Sequence, residues 1–192
     1  MRVSEGEFYQ VREIDPEALP DVTRAARLIY LNKTCYNGLY RVNRKGRFNT
    51  PYGHYENASL VDAENLRRAS EALQNAELVC GYYEKILNKV KARDFVYLDP
   101  PYLPVSKYSD FKRYTKEFFY EADHVALAGV FKHLDRLGCS VLLSNSYHEK
   151  IASLYDGFAQ VTVEAPRFMN CKGDGRGKVK ELLISNYPLR IA

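Results

Sequence analysis

Phe95-Val96-Tyr97-Leu98-Asp99-Pro100-Pro101-Tyr102 decides how this chain is read. Four apolar residues suit a buried parallel strand, and they run straight into an acid, two prolines and a tyrosine. Proline cannot donate to a strand ladder, so the backbone has to leave the sheet at Asp99. In open α/β sheets, ligands sit at the carboxyl ends of strands. A carboxylate, a carbonyl held by a stiff Pro-Pro and an aromatic face are therefore offered together. That set suits a planar, amino-bearing base. An ordinary proline turn with a solvated tyrosine fits the same eight residues, so the rest of the chain has to decide.

Working outward on the C-terminal side, residues 103–120 are long for a loop, aromatic and basic, and follow directly on Tyr102. Loops of that length in compact domains are usually functional. Ala122 to Leu137 then carries apolar residues at helical spacing, with Gly138 suited to the position after the helix. Ser140-Val141-Leu142-Leu143-Ser144-Asn145 reads as another buried strand, and Ile151 to Tyr155 as a helix. Ala159 to Glu164 alternates like a strand, and Val179 to Tyr187 closes the series. The order strand, helix, strand, helix, strand, strand indicates an α/β sheet whose final pair is antiparallel. Gly173-Asp174-Gly175-Arg176-Gly177 lacks a strand before and a helix after, so it reads as an inter-strand loop rather than a dinucleotide turn.

On the N-terminal side, Asp15-Pro16 and Asp21 read as helix caps, with a packing helix ending near Thr34 and a turn at Asn37-Gly38. Leu39 to Val42 and Arg47 to Gly53, around the polar Asn43-Arg44-Lys45-Gly46, look like a β-hairpin. This stretch carries Arg41, Arg44, Arg47, Lys45, Asn43 and Asn49 among aromatics. Arginine reads guanine bidentately and asparagine reads adenine, so a DNA reader and a merely solvated hairpin both fit. Ser59 to Asp62 resembles a capping box ahead of a helix striped by Leu66, Ala69 and Leu73. Glu77 to Cys80 is a strand candidate and Tyr82 to Val90 a helix candidate.

The bulk properties bound these readings. A chain of 192 residues can bury a real core, and one domain with an appendage is the natural expectation. No apolar run approaches a membrane span, and the first residues lack the apolar core of a secretory signal. Cys35, Cys80, Cys139 and Cys171 are widely spaced without histidines in ligand spacing. They read as thiols in a reducing cytoplasm, not as disulfides or metal ligands. Net charge is only +4, but the cations cluster at 41–47, 107–116 and 172–180, two of these groups interleaved with aromatics. Sixteen tyrosines and no tryptophan suit stacking on exposed bases as well as core filling.

Taken together, these residues resemble the Dam-type DNA adenine-N6 methyltransferases. Besides Asp99-Pro100-Pro101-Tyr102, the resemblance covers Tyr30 to Lys33, Cys35 to Asn43 and Gly46 to Gly53. It continues through Tyr114 to Phe118, Leu143 to Ser146 and Lys180 to Tyr187, in the family's order. Collinearity from about residue 8 onward is more specific than any single motif.

The resemblance implies an incomplete Rossmann-like, S-adenosylmethionine-dependent α/β methyltransferase sheet with a small helical and β-hairpin target-recognition region. Recognition would occupy residues 15–75 and the C-terminal part of the catalytic domain residues 76–192, with 1–14 leading in. Asp99 and the Pro100 carbonyl, stiffened by Pro101, would accept hydrogen bonds from the adenine amino group. Tyr102 would stack on the flipped base, and Asp99 would also lie beside the methyl donor. Arg41 would read a base, with Tyr36, Asn37, Leu39 and Pro51 near double-stranded DNA; Asn43, Arg47 and Asn49 join them from the hairpin's composition. Family members commonly read GATC, often within restriction-modification systems.

The chemistry is coherent. The adenine amino nitrogen is a poor nucleophile because its lone pair is delocalised into the ring. Hydrogen bonds from both its N–H groups favour a more tetrahedral nitrogen, which is catalysis by positioning and electrostatics. Extruding the base costs a few kcal/mol, and stacking returns about 1–3 kcal/mol. The family's glycine-rich cofactor turn, however, normally precedes the recognition region and is not found here. The expectation is therefore a truncated or split enzyme that a complementing N-terminal polypeptide completes. A catalytically inactive DNA-binding remnant is the alternative, and methylation of an amino group in RNA or protein a third reading.

Overall fold

The computed structural model describes residues 3–104, 119–166 and 178–189. They fall into two compact units divided between Gly81 and Tyr82.

The first unit is helical and loop-rich. Helix α1 (Glu5–Glu13) starts where the Ser4 side chain accepts from the Glu7 amide. Helix α2 (Asp21–Thr34) follows a single turn of 3₁₀ helix that Asp15 caps. Asp21 lies inside the first turn of α2, with Pro20 at the cap position. The Arg27 guanidinium donates to the carbonyls of Val11 and Arg12, which α1 leaves without helical partners at its end. Phe8, Leu31, Cys35, Phe48 and Tyr52 form this unit's core, and the Tyr52 hydroxyl donates to the Val3 carbonyl at 2.6 Å.

The expected hairpin forms with short arms: the Asn43 amide donates to the Arg47 carbonyl and the Asn49 amide to the Arg41 carbonyl. Only isolated antiparallel bridges form, Val42 with Phe48 and Cys35 with Tyr52. Pro51 has no N–H to give to a ladder, and Asn49 and Thr50 put their side chains into bonds across the loop. Helix α3 (Ala63–Ala72) begins one residue after Asp62, whose side chain accepts from Asn65, so Ser59 is not the cap. The expected apolar stripe of α3 is exposed at Leu66 and Leu73, and the helix buries no residue. Glu77 to Cys80 is not a strand; Leu78 and Val79 are exposed and find no partner strand.

The second unit carries the sheet. Regular helix in the Tyr82–Val90 segment is limited to α4 (Glu84–Leu87), flanked by three-residue turns. Tyr83, Leu87 and Val90 of this segment lie against the core. The strands β1 (Phe95–Leu98), β2 (Ser140–Ser146), β3 (Ala159–Pro166) and β4 (Lys178–Ser185) form one sheet in the order β1-β2-β4-β3. β1 and β2 are parallel; β4 is antiparallel to both β2 and β3. Helix α5 (Glu121–Leu137) makes the parallel crossover and ends on Gly138 in the left-handed conformation, while α6 (Glu149–Leu154) follows β2.

One face of the sheet packs against these helices. Val96, Leu98, Val141, Leu143 and Ile184 meet Leu127, Phe131, Leu134, Ile151 and Tyr155 in a single core. Period-two alternation sends Phe95 and Tyr97 to the opposite face, where they are 61% and 53% exposed. The expectation of a wholly buried strand is therefore half right. β1 is an edge strand among the described residues, and its second face lies away from α5.

The candidate active corner and recognition loop

Asp99 stands immediately after β1, where the register with β2 sets Leu98 opposite Leu143. The next step along both strands places Asp99 beside Ser144, and the Ser144 hydroxyl donates to Asp99 Oδ1 at 2.9 Å. The carboxylate is exposed and Pro100 half-buried, so the acid and the following carbonyl stay accessible.

The Pro-Pro-Tyr turn is fastened at its far end as well. The Leu103 amide donates to Asn145 Oδ1 at 3.1 Å, and the Ser146 hydroxyl donates to the Leu103 carbonyl at 2.5 Å. Asn145 is buried, and its side-chain oxygen also accepts from the Ser146 amide. Tyr102 is half-buried, and its hydroxyl points to Glu181 Oε2 on β4 at 3.4 Å. Burial pushes this phenol up to about 12; a bond with Ser144 opposes the rise, and the Glu181 and Asp99 carboxylates add to it. Tyr102 is thus a neutral aromatic surface at physiological pH. Asp99, Pro100, Pro101 and Tyr102 are brought to one strand end, as the sequence led one to expect.

Sequence reasoning gave no role to Tyr97, Ser144, Asn145, Ser146 or Glu181 at this corner. A signal existed: β2 changes from Val-Leu-Leu to Ser-Asn-Ser at its carboxyl end, and polar residues buried there need partners. Asn186 fastens the start of the same strand. Its oxygen accepts from Val141 and its amide donates to Asp135 and the Cys139 carbonyl.

The other expected residues lie in the first unit, on the loop from Cys35 to Gly53. Its two limbs are tied together by the Tyr36 amide to the Pro51 carbonyl at 2.9 Å and the Thr50 hydroxyl to the Leu39 carbonyl at 2.6 Å. The Arg41 guanidinium donates to the Asn49 carbonyl and side-chain oxygen at 3.0 and 2.8 Å. Asn37 takes the left-handed conformation at φ 53°, and its amide donates to the Tyr55 hydroxyl at 3.1 Å. Asn43 spends its side-chain oxygen on the Lys45 and Arg47 amides, which makes it a turn-forming residue. Tyr36, Arg41, Arg47 and Pro51 are exposed, while Asn37, Leu39, Asn43 and Asn49 are half-buried.

As for the methyl donor, the described residues contain no glycine-rich turn between a strand and a helix. β1 runs into Asp99-Pro100-Pro101, and β2 runs through Tyr147-His148 into α6. The described residues supply no cradle for the donor's nucleoside. No cluster of metal-ligating side chains occurs among them, and none of their helices is long and apolar enough to cross a membrane.

An acid–Pro–Pro–Tyr turn at the carboxyl end of a parallel strand, in a mixed sheet backed by crossover helices, defines the α/β methyltransferase class. Within it, the chain belongs to the D12 class N6 adenine-specific DNA methyltransferase family, whose profile matches residues 2–169. It is 46% identical to the type II methyltransferase M.MjaIII of Methanocaldococcus jannaschii over 185 residues, covering 94% of this chain and 64% of that protein. Identity is 42% to the type II methyltransferase M1.LlaDCHI of Lactococcus lactis (89% and 61% covered). It is 36% to a DNA adenine methylase of Serratia marcescens (92% and 66% covered). The chain thus spans 61–66% of the length of these relatives.

Proposed function

We propose that the chain carries the target-recognition region and the catalytic corner of a DNA adenine-N6 methyltransferase. A complementing N-terminal polypeptide would supply the remaining cofactor-binding surface. The observation that carries this reading is the fastened Asp99-Pro100-Pro101-Tyr102 turn, which holds an accessible carboxylate, a carbonyl and a neutral aromatic ring at one strand end.

Asp99 and the Pro100 carbonyl accept the two amino N–H groups of an extruded adenine, and Tyr102 stacks on its ring. S-adenosylmethionine, when bound, supplies an electrophilic methyl group on a sulfonium. The two hydrogen bonds to Asp99 and the Pro100 carbonyl would favour a tetrahedral amino nitrogen with a localised lone pair, and the Asp99 carboxylate would accept the proton that the nitrogen sheds. The loop from Tyr36 to Pro51 reads the duplex, with Arg41 as the base reader and Tyr36, Asn37, Leu39, Arg47, Asn49 and Pro51 around it; Asn43 shapes the turn. GATC is the first sequence to test. Residues 15–75 then serve recognition and 76–192 catalysis, and the family's setting is the cytoplasm.

The test is transfer of labelled methyl to duplex DNA by the chain together with the N-terminal third of a relative. Transfer to adenine N6 that vanishes in Asp99→Ala supports the reading. Transfer undiminished in that variant removes Asp99 from its role. Salt-sensitive duplex binding without any transfer or S-adenosylmethionine uptake returns the chain to a DNA-binding segment.

A further inference from the structure

We propose that Ser144, backed by Tyr97, is the positioning residue that fixes the Asp99 carboxylate. This rests on the reading of Asp99 as the acceptor of the adenine amino group.

Three side chains form a hydrogen-bonded row on the face of the sheet turned away from α5. Ser144 Oγ lies 2.8 Å from the Tyr97 hydroxyl and 2.9 Å from Asp99 Oδ1. The parallel register makes this row: Tyr97 pairs with Leu142, so the alternation of both strands sends Tyr97, Asp99 and Ser144 to one side. Val96, Leu98, Val141 and Leu143 go to the other, into the core.

The polarity of the row follows from the chemistry. An ionised carboxylate only accepts, so the single hydroxyl proton of Ser144 goes to Asp99. Ser144 then has only lone pairs left for Tyr97, so that tyrosine is the donor; the Tyr102 hydroxyl meets the same serine. Each proton points toward Asp99. A hydroxyl dipole that itself accepts a hydrogen bond is a better donor to an anion. Ser144 is 2% exposed, so water does not compete for the bond.

This matters because Asp99 follows the last strand residue and is exposed, leaving its side chain free to rotate if nothing holds it. The bond to Oδ1 orients the carboxyl plane. Among the described residues no donor reaches Oδ2, the oxygen available to an amino group. Tyr97, an exposed aromatic on a strand that is at the edge among the described residues, gains a purpose from its hydroxyl.

Three variants test the row in the complemented enzyme. Ser144→Ala is expected to lower kcat for methyl transfer about tenfold, with KM for DNA and the melting temperature little changed. Ser144→Thr, which keeps the hydroxyl, restores kcat to within about twofold, and Tyr97→Phe costs about threefold. A second readout needs no activity: the carbon-13 shift of the Asp99 carboxyl in the chain alone moves in Ser144→Ala and returns in Ser144→Thr. An active enzyme whose kcat ignores Ser144→Ala overturns the proposal, as does an Asp99 carboxyl signal identical in all variants. An inactive parent enzyme whose Asp99 signal does respond counts against the functional reading alone.

Discussion

Asn145 Oδ1 accepts the Leu103 amide at 3.1 Å across 42 positions of sequence, pinning the exit of the Pro-Pro-Tyr turn to the end of the neighbouring strand. The same oxygen takes the Ser146 amide, and the Asn145 amide lies 3.5 Å from His124 Nδ1. Replacing Asn145 with Ala leaves the half-buried Leu103 amide and the buried Ser146 amide without their acceptor. A loss of about 1–3 kcal/mol in stability is expected from denaturant unfolding of the chain. The loss in kcat should exceed the loss in DNA affinity, because the turn and not the recognition loop is released.

The Arg41–Asn49 pair makes a separate expectation about DNA. Arg41→Ala removes the proposed base reader and should cost about 1–3 kcal/mol on a cognate duplex while flattening the preference over noncognate DNA. Asn49→Ala, which removes the side-chain bond and leaves Arg41 only the residue-49 carbonyl, should lose discrimination more than affinity. Equal weakening on every sequence in both variants, read by fluorescence anisotropy, would show that the pair touches only the phosphates.

Gly53 is held where a side chain does not fit. A Cβ there would lie 2.7 Å from the Cys35 carbonyl oxygen and 2.4 Å from the Tyr55 ring. The Gly53 amide meanwhile donates to the Thr34 carbonyl at 2.8 Å. Gly53→Ala is expected to destabilise the first unit by about 1–3 kcal/mol, with the melting curve as the check. A variant as stable as the parent would mean that the loop closes differently.

Alkaline pH should unfold the chain early. Burial pushes Tyr30 and Tyr102 up to about 12 from an ordinary 10, and raises Tyr155 as well. Below pH 10 these phenols are protonated both folded and unfolded, so their contribution is intact. Between about 10 and 12 the unfolded chain gives up protons that the folded chain retains, so stability falls as pH rises through that window. Phenolate absorbance is the measurement. These tyrosines should ionise only with unfolding, and a native titration in which every tyrosine ionises near 10 contradicts the expectation.

Much of the fold was legible because its signals are local. Proline geometry forced the exit at Asp99, helical spacing and Gly138 delimited α5, apolar runs marked β2 and β4, and alternation marked β3. The misreadings share one cause. The Leu66–Leu73 stripe and the Glu77–Cys80 run have the right pattern, but a pattern makes a packed helix or a strand only where a partner surface exists. The hairpin arms stay short for a related reason, since Pro51 has no N–H to extend the ladder and Asn49 and Thr50 also bond across through their side chains. Residues 105–118 and 167–177, which include the basic aromatic loop, Cys171 and the glycine-rich stretch, lie outside the described residues.

The sequence by itself determined the chemistry on offer: an acid, a carbonyl and a tyrosine set by two prolines at a strand end, and a basic, asparagine-bearing loop elsewhere. Only the tertiary structure decided which hydroxyl meets Asp99, which amide holds Leu103 and which asparagine grips Arg41. Ser144 and Asp99 stand 45 residues apart, and what joins them is the register of β1 against β2. Rules of proline, periodicity and capping act over a few residues. Register is fixed only when a whole face of Val96, Leu98, Val141 and Leu143 settles against α5, and that burial is a property of the folded chain.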